Sequence, residues 1–159
     1  MTDFDFAEIG IRPMQVVDLD KVMLVERAAY PIAWSRGVFE DCLAGKNVCY
    51  VLELKGEVVG HAIISLILDE THLLNLCISP KNGRQGLGRY FLQHLVNEAG
   101  ARESSVFFLE VRASNTGAAQ LYFSEGFNEV GVRPNYYPAK KGREDAILMT
   151  LDLSIDQYV

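Results

Sequence analysis

The chain is poor in the residues on which stapled, metal-bound and membrane-embedded proteins depend. Its 159 residues include only three cysteines, three histidines, five prolines and one tryptophan. Cys42, Cys49 and Cys77 are an odd number with no Cys-x-x-Cys pair, which argues against a disulfide framework. Their apolar surroundings predict buried, reduced thiols. No two histidines stand at ligand spacing, so no metal site is expected. The longest apolar run, residues 62–68, is strand-sized and well short of the ~18 residues of a membrane span.

Positive charge is scarce too. Fifteen Lys and Arg against 21 Asp and Glu leave a net charge of −6, which excludes a general nucleic-acid binder and suits a cationic partner. The acidic start, Met-Thr-Asp-Phe-Asp-Phe-Ala-Glu, lacks the basic segment of a signal peptide, and a cytoplasmic location is expected. There are no repeats, linkers or low-complexity tracts. The length fits a single domain, 1–159, that buries its core without staples.

The pattern alternates helix and strand periods. Ile9 and Ile11 open a short strand ending at Pro13. Asp18 and Asp20 suit the start of a helix that Tyr30-Pro31 closes, and Ser35 caps a second helix reaching about Leu43. Strands over 48–54 and 58–69 flank Lys55-Gly56-Glu57, a hairpin signal, and Asp69-Glu70 turns the chain into a strand over 71–78. A helix over 87–99 stops at Gly100, a strand covers 106–111, and a helix from Asn115 or Thr116 ends at Gly126 before a core Phe127. Strands over 128–133 and 145–153 surround a polar loop, 135–144.

The most informative stretch is Leu73 to Gly88, a strand stopping at Pro80, a turn with glycines at 83, 86 and 88, and then a helix. Glycines let the backbone approach a ligand and take positive φ where needed. A helix opening from such a turn aims its free amides and positive dipole end at one place, a site for an anionic group such as phosphate. A Walker loop is excluded, because Arg89 and Tyr90 replace its Lys and Ser/Thr. The dinucleotide fingerprint is excluded, because Phe91 stands where its third glycine belongs.

What remains, Arg84-Gln85-Gly86-Leu87-Gly88-Arg89, closely resembles the pyrophosphate loop of the GCN5-related N-acetyltransferases (GNAT), written Q/R-x-x-G-x-G/A. Gly83 falls at the Q/R position. The resemblance covers the whole chain and is strengthened by Asn115 seven residues before Tyr122, with Gly126-Phe127 after the helix. It implies an α/β (α+β) fold, a mixed, mostly antiparallel sheet with helices on both faces, and acetyl-CoA as cosubstrate. It also implies a diphosphate held by the backbone of Arg84, Gln85, Gly86, Leu87, Gly88 and Arg89, a pantetheine arm along Leu76, Cys77 and Ile78, and a contact from Asn115. The blocks Leu-Glu-Val-Arg-Ala-Ser-Asn (109–115), Asn-Tyr-Tyr-Pro (135–138) and Gly-Arg-Glu-Asp-Ala (142–146) resemble the branch that acetylates the N-terminal alanine of a ribosomal protein, number eighteen of the small subunit. The partner implied is that protein's basic N-terminal tail, with no direct nucleic-acid or membrane contact.

The reaction needs a proton acceptor for the amine, donors for the oxyanion and a proton donor for the CoA thiolate. Glu110 lies near the end of its strand, on the face of Val106 and Phe108. A carboxylate there is either paired with Arg112 or another arginine, or used in chemistry; the resemblance makes it the general base. Tyr122 fits an apolar stripe with Ala118 and Ala119 as a core tyrosine, and the resemblance makes it the acid for the thiolate. Cys77 is not expected to be a nucleophile, because no histidine is near it in sequence. Asp69 and Glu70 either flank a cationic groove with Glu110 or form a solvated turn, and Tyr30, Trp34, Tyr136 and Tyr137 are candidate walls. The same fold also serves acetyltransferases for lysine or small amines, and a non-catalytic acyl-CoA-binding module would need only the glycine loop.

Overall fold

The computed structural model describes residues 5–154. Its elements are β1 (Ile9–Pro13), α1 (Leu19–Ala29), α2 (Arg36–Ala44), β2 (Val48–Leu54), β3 (Glu57–Ile67), β4 (Glu70–Ile78), α3 (Leu87–Ala101), β5 (Val106–Arg112), α4 (Thr116–Ser124), β6 (Asn128–Pro138) and β7 (Arg143–Asp152). This mixed α/β fold has one seven-stranded sheet in the order β1-β2-β3-β4-β5-β7-β6, with β1–β2, β2–β3, β5–β7 and β7–β6 antiparallel and β4–β5 parallel. Among the described residues no helix is long and apolar enough to cross a membrane. The chain forms two compact units, residues up to 65 with 74–94, and residues 66–73 with those from 95 onward.

In the first unit, Leu19, Val22 and Met23 share one face of α1 and pack with Phe39 and Cys42 of α2 and with Val51 and Ile63 of the strands. Each fully buried Leu or Phe of this set contributes about 1.5–3 kcal/mol. Lys55 (φ 53°) and Gly56 (φ 80°) are both left-handed, the geometry that joins two right-twisted strands in a two-residue hairpin. Ser35 caps α2 by accepting from the Val38 amide at 3.3 Å. Asp18 does not cap α1 through its side chain, because its carboxylate accepts from the Gln15 amide (2.8 Å) and from Arg12 (2.7 and 2.8 Å) instead. Gly60 is fixed by space: a Cβ there would lie 2.7 Å from Ile78 Cδ1 and 2.8 Å from the Cys77 carbonyl oxygen. Only a glycine lets β4 come this close.

In the second unit, β5 alternates strictly, with Phe107, Leu109 and Val111 buried and their neighbours half-buried. Phe127 is fully buried, its ring edge-on to Phe107 at 5.5 Å, as expected of the residue after Gly126 (φ 96°). Among the expected boundaries that differ, two are shifted for a visible reason. Helix α3 runs through Gly100 to Ala101, its last turn held by Arg102 on Glu98 (2.8 Å), and the chain reverses at left-handed Glu103 (φ 63°). Strand β6 does not end at residue 133 but continues to Pro138 past an irregularity at left-handed Asn135 (φ 53°). Side chains of β7 hold that bulge: Asp145 accepts from the Asn135 amide at 2.9 Å, and Arg143 donates to the Asn135 and Tyr136 carbonyls at 2.8 and 2.7 Å.

Candidate active site

In the first unit, the turn before α3 has the backbone of an anion cradle. Gly86 (φ 84°) and, less expectedly, Arg84 (φ 58°) are left-handed, and α3 starts at Leu87. Gly83 is not used for positive φ; its φ is −69°, and its amide donates to the Pro80 carbonyl at 3.1 Å. A non-glycine residue held left-handed costs about 1–2 kcal/mol, a strain often found at ligand sites. Gly88 and Arg89 follow in the first turn of α3, at the positive end of its dipole. An anionic group such as a diphosphate fits this backbone.

Leu76, Cys77 and Ile78 end β4 in the same unit. The Tyr30 hydroxyl donates to the Leu76 carbonyl at 2.8 Å, so one candidate wall residue is tied to this strand. Trp34 packs against the core, its ring 5.3 Å from that of Phe39. Cys77 is buried with Sγ 3.9 Å from the Val25 carbonyl. Sequence separation hid one neighbour: a ligand-type atom of His61 lies within 4.8 Å of those of Cys77 and Glu26. The thiol nevertheless stays protonated, because burial and then the charge of Glu26 push its pKa well up.

Glu26 is the centre of that cluster. Burial alone would raise its pKa, but hydrogen bonds from His61, the Trp34 amide and Asn75 bring it below the ordinary carboxylate value. The sequence offered no sign of this group, since His61 and Asn75 stand 35 and 49 positions from Glu26.

In the second unit, Glu110 is half-buried on β5 and pairs with Arg133 Nε at 3.1 Å, not with Arg112. Arg112 is drawn away by Glu144 (2.8 Å) and the Pro138 carbonyl (2.7 Å), and its guanidinium lies 4.5 Å over the Tyr137 ring. Tyr136 donates to Glu110, which holds its phenol proton above the usual range. Tyr137, edge-on to Tyr136 at 4.9 Å, is pushed up to about 12 by burial and then by Glu110. Glu110, Tyr136 and Tyr137 are thus brought together, joined by Arg133, whose role the sequence did not suggest.

Tyr122 is buried on α4, and burial, then Tyr137, raises its pKa strongly. Asn115 caps α4, accepting from the Ala118 amide at 3.2 Å. Asp69 and Glu70 do not join Glu110. The parallel register sets Glu70 beside Val106, four residues from Glu110, or about 13 Å along the strand. Asp69 accepts instead from the Ser105 hydroxyl at 2.7 Å, and Glu70 pairs with His72 at 3.0 Å.

Comparisons with known proteins bear on the family and the fold. The sequence model of the acetyltransferase (GNAT) family matches residues 18–127. The chain is 40% identical over 145 residues to the [ribosomal protein bS18]-alanine N-acetyltransferase of Escherichia coli (strain K12), covering 91% of this chain and 98% of the relative. It is 37% identical over 137 residues to the same-named protein of Haemophilus ducreyi, covering 86% and 94%. The crystal structure of the ribosomal-protein-S18-alanine N-acetyltransferase from Escherichia coli superposes with a TM-score of 0.86 at 40% identity, covering 92% of this chain and 94% of that one.

Proposed function

Because the chain belongs to the acetyltransferase (GNAT) family, we propose that it moves the acetyl group of acetyl-CoA to the N-terminal alanine of ribosomal protein bS18. That it is an acetyl-CoA-dependent N-acetyltransferase follows from the family. The observation carrying the finer reading is the 40% identity, over nearly the full length of both chains, with an enzyme named for this substrate. The net charge of −6 suits a basic N-terminal tail.

The backbone of residues 84–89 holds the diphosphate of acetyl-CoA at the start of α3, and Leu76, Cys77 and Ile78 line the pantetheine arm. Asn115 adds a contact compatible with its cap. The α-amine attacks the thioester carbonyl, the C–N bond forms, and the C–S bond breaks to release the CoA thiolate. Glu110 takes the amine proton, directly or through water. An α-amine of pKa about 7.7–8.0 is already roughly one-tenth neutral at pH 7, so a carboxylate is base enough. A lysine at ~10.4 would ask far more of it. Tyr122 gives its phenol proton to the thiolate; the burial that raises the phenol also favours protonating a thiolate beside it. In the second unit Tyr136 and Tyr137, next to Glu110, are a wall for the peptide, and in the first unit Tyr30 and Trp34 are peptide-contacting side chains.

The test is mass spectrometry of an equimolar peptide panel incubated with acetyl-CoA and the protein. The panel contains the Ala-started basic tail, the same tail started with Ser or Met, and a blocked peptide with one internal lysine. Acetylation confined to the α-amine of the Ala-started tail is expected. Modification of the lysine instead would overturn the substrate assignment.

A further inference from the structure

We propose that Glu26 is a positioning residue whose buried carboxylate locks the turn carrying Tyr30 and Trp34 onto β4, fixing the wall against which the peptide binds. The peptide part rests on the substrate reading above; the lock itself does not. Glu26 ends the buried face of α1 and is 1% exposed. Its Oε2 accepts from the Trp34 amide at 3.0 Å, and its Oε1 accepts from Asn75 Nδ2 at 3.0 Å and from His61 Nε2 at 2.9 Å. One carboxylate therefore joins α1, the turn after it, β3 and β4.

A surface turn needs no such anchor in its own interest. Burying a carboxylate is costly, and three charge-assisted hydrogen bonds are needed to offset it. An apolar residue would fill the space with less penalty, so the geometry fixed by this carboxylate is what distinguishes it. The hydrogen bond from Tyr30 to the Leu76 carbonyl at 2.8 Å is a second tie between the same turn and the same strand. Strand β4 has further support from β3, since the Ser79 amide donates to the Val59 carbonyl at 2.7 Å. Loss of Glu26 therefore frees the turn more than the strand.

Trp34, the one tryptophan of the chain, reports on this turn directly. In Glu26→Gln its emission should shift to the red and its quenching by acrylamide should rise about twofold. With the Ala-started peptide, KM should rise ~tenfold, the equivalent of one charge-assisted hydrogen bond. The Kd for acetyl-CoA should stay within about threefold of wild type, a split that a general loss of folding would not give. Unchanged Trp34 quenching, or equal weakening toward peptide and acetyl-CoA, would overturn the proposal. If Glu26→Gln does not fold, Tyr30→Phe removes the second tie without touching the buried charge, and the same rise in Trp34 quenching is expected. A wild-type protein that ignores the peptide would sink the substrate reading while the fluorescence test still stands. A rise in Tm with Zn2+ that Cys77→Ala abolishes would make the cluster a metal site and overturn the lock.

Discussion

Replacing Gly60 with alanine puts a methyl group 2.7 Å from Ile78 Cδ1 and 2.8 Å from the Cys77 carbonyl oxygen. The Ile78 side chain can rotate away, but the carbonyl is backbone and moves only if β4 moves. Overpacking of this kind costs about 1–3 kcal/mol. At 2–4 °C per kcal/mol for a chain of this size, Tm should fall by roughly 2–12 °C. Part of the strain should appear as displacement of residues 77 and 78, so KM for acetyl-CoA should rise more than KM for the peptide amine. The assay is a thermal melt with steady-state kinetics in which each substrate is varied at saturating concentration of the other. Gly100→Ala is the control: it has an ordinary φ, and its new Cβ would meet nothing within 4 Å. In a helix that change should stabilise by about 0.5–1 kcal/mol. A Gly60→Ala protein with wild-type Tm and acetyl-CoA KM would refute the close approach of β4.

Three further outcomes are expected. Glu110→Gln should leave acetyl-CoA binding intact and lower turnover by about 10²–10⁴ near pH 7, with the deficit shrinking as pH rises and the amine deprotonates itself; a pH-independent ratio to wild type would remove Glu110 as base. Tyr122→Phe should lower turnover by at least about tenfold with little change in peptide KM, measured by thiol release, and full activity would reduce Tyr122 to a lining residue. Arg12 lowers the folded-state pKa of Asp18, so their pairing stabilises above the unfolded carboxyl pKa of ~3.9 and the contribution is lost as pH falls through the lower folded value. The stability difference between wild type and Arg12→Ala should be full at pH 6 and shrink below about pH 4 in urea titrations; a gap that grows as pH falls below 4 would contradict it.

Local signals carried the sequence reading far. Hydrophobic period, caps and Gly-bearing turns identified each helix and strand in order, because those signals lie within a few residues of their effects. The left-handed turn at Gly86 and the Asn115 cap were legible for the same reason, as motifs of short span. Where distant segments decided, the reading failed. Asn135 to Pro138 has the composition of a loop, yet it is strand because Arg143 and Asp145 of the next strand hold its bulge. Asp69 and Glu70 were grouped with Glu110 by charge alone, and the register of β4 on β5 separates them. The surroundings of Glu26 depend on partners tens of residues away, which no window of the sequence contains.

The pairing of β5 also sets an order of events in time. Residues 106–109 lie beside β4, which precedes them in the chain, but Glu110 lies opposite Leu148 of β7. A ribosome adding about 5–20 residues per second needs roughly 2–8 s to travel from Arg112 to the end of β7 at Asp152. Through that interval the strand bearing Glu110 has only its earlier edge supported. The residues of the glycine loop are therefore synthesised seconds before the strand that pairs with Glu110.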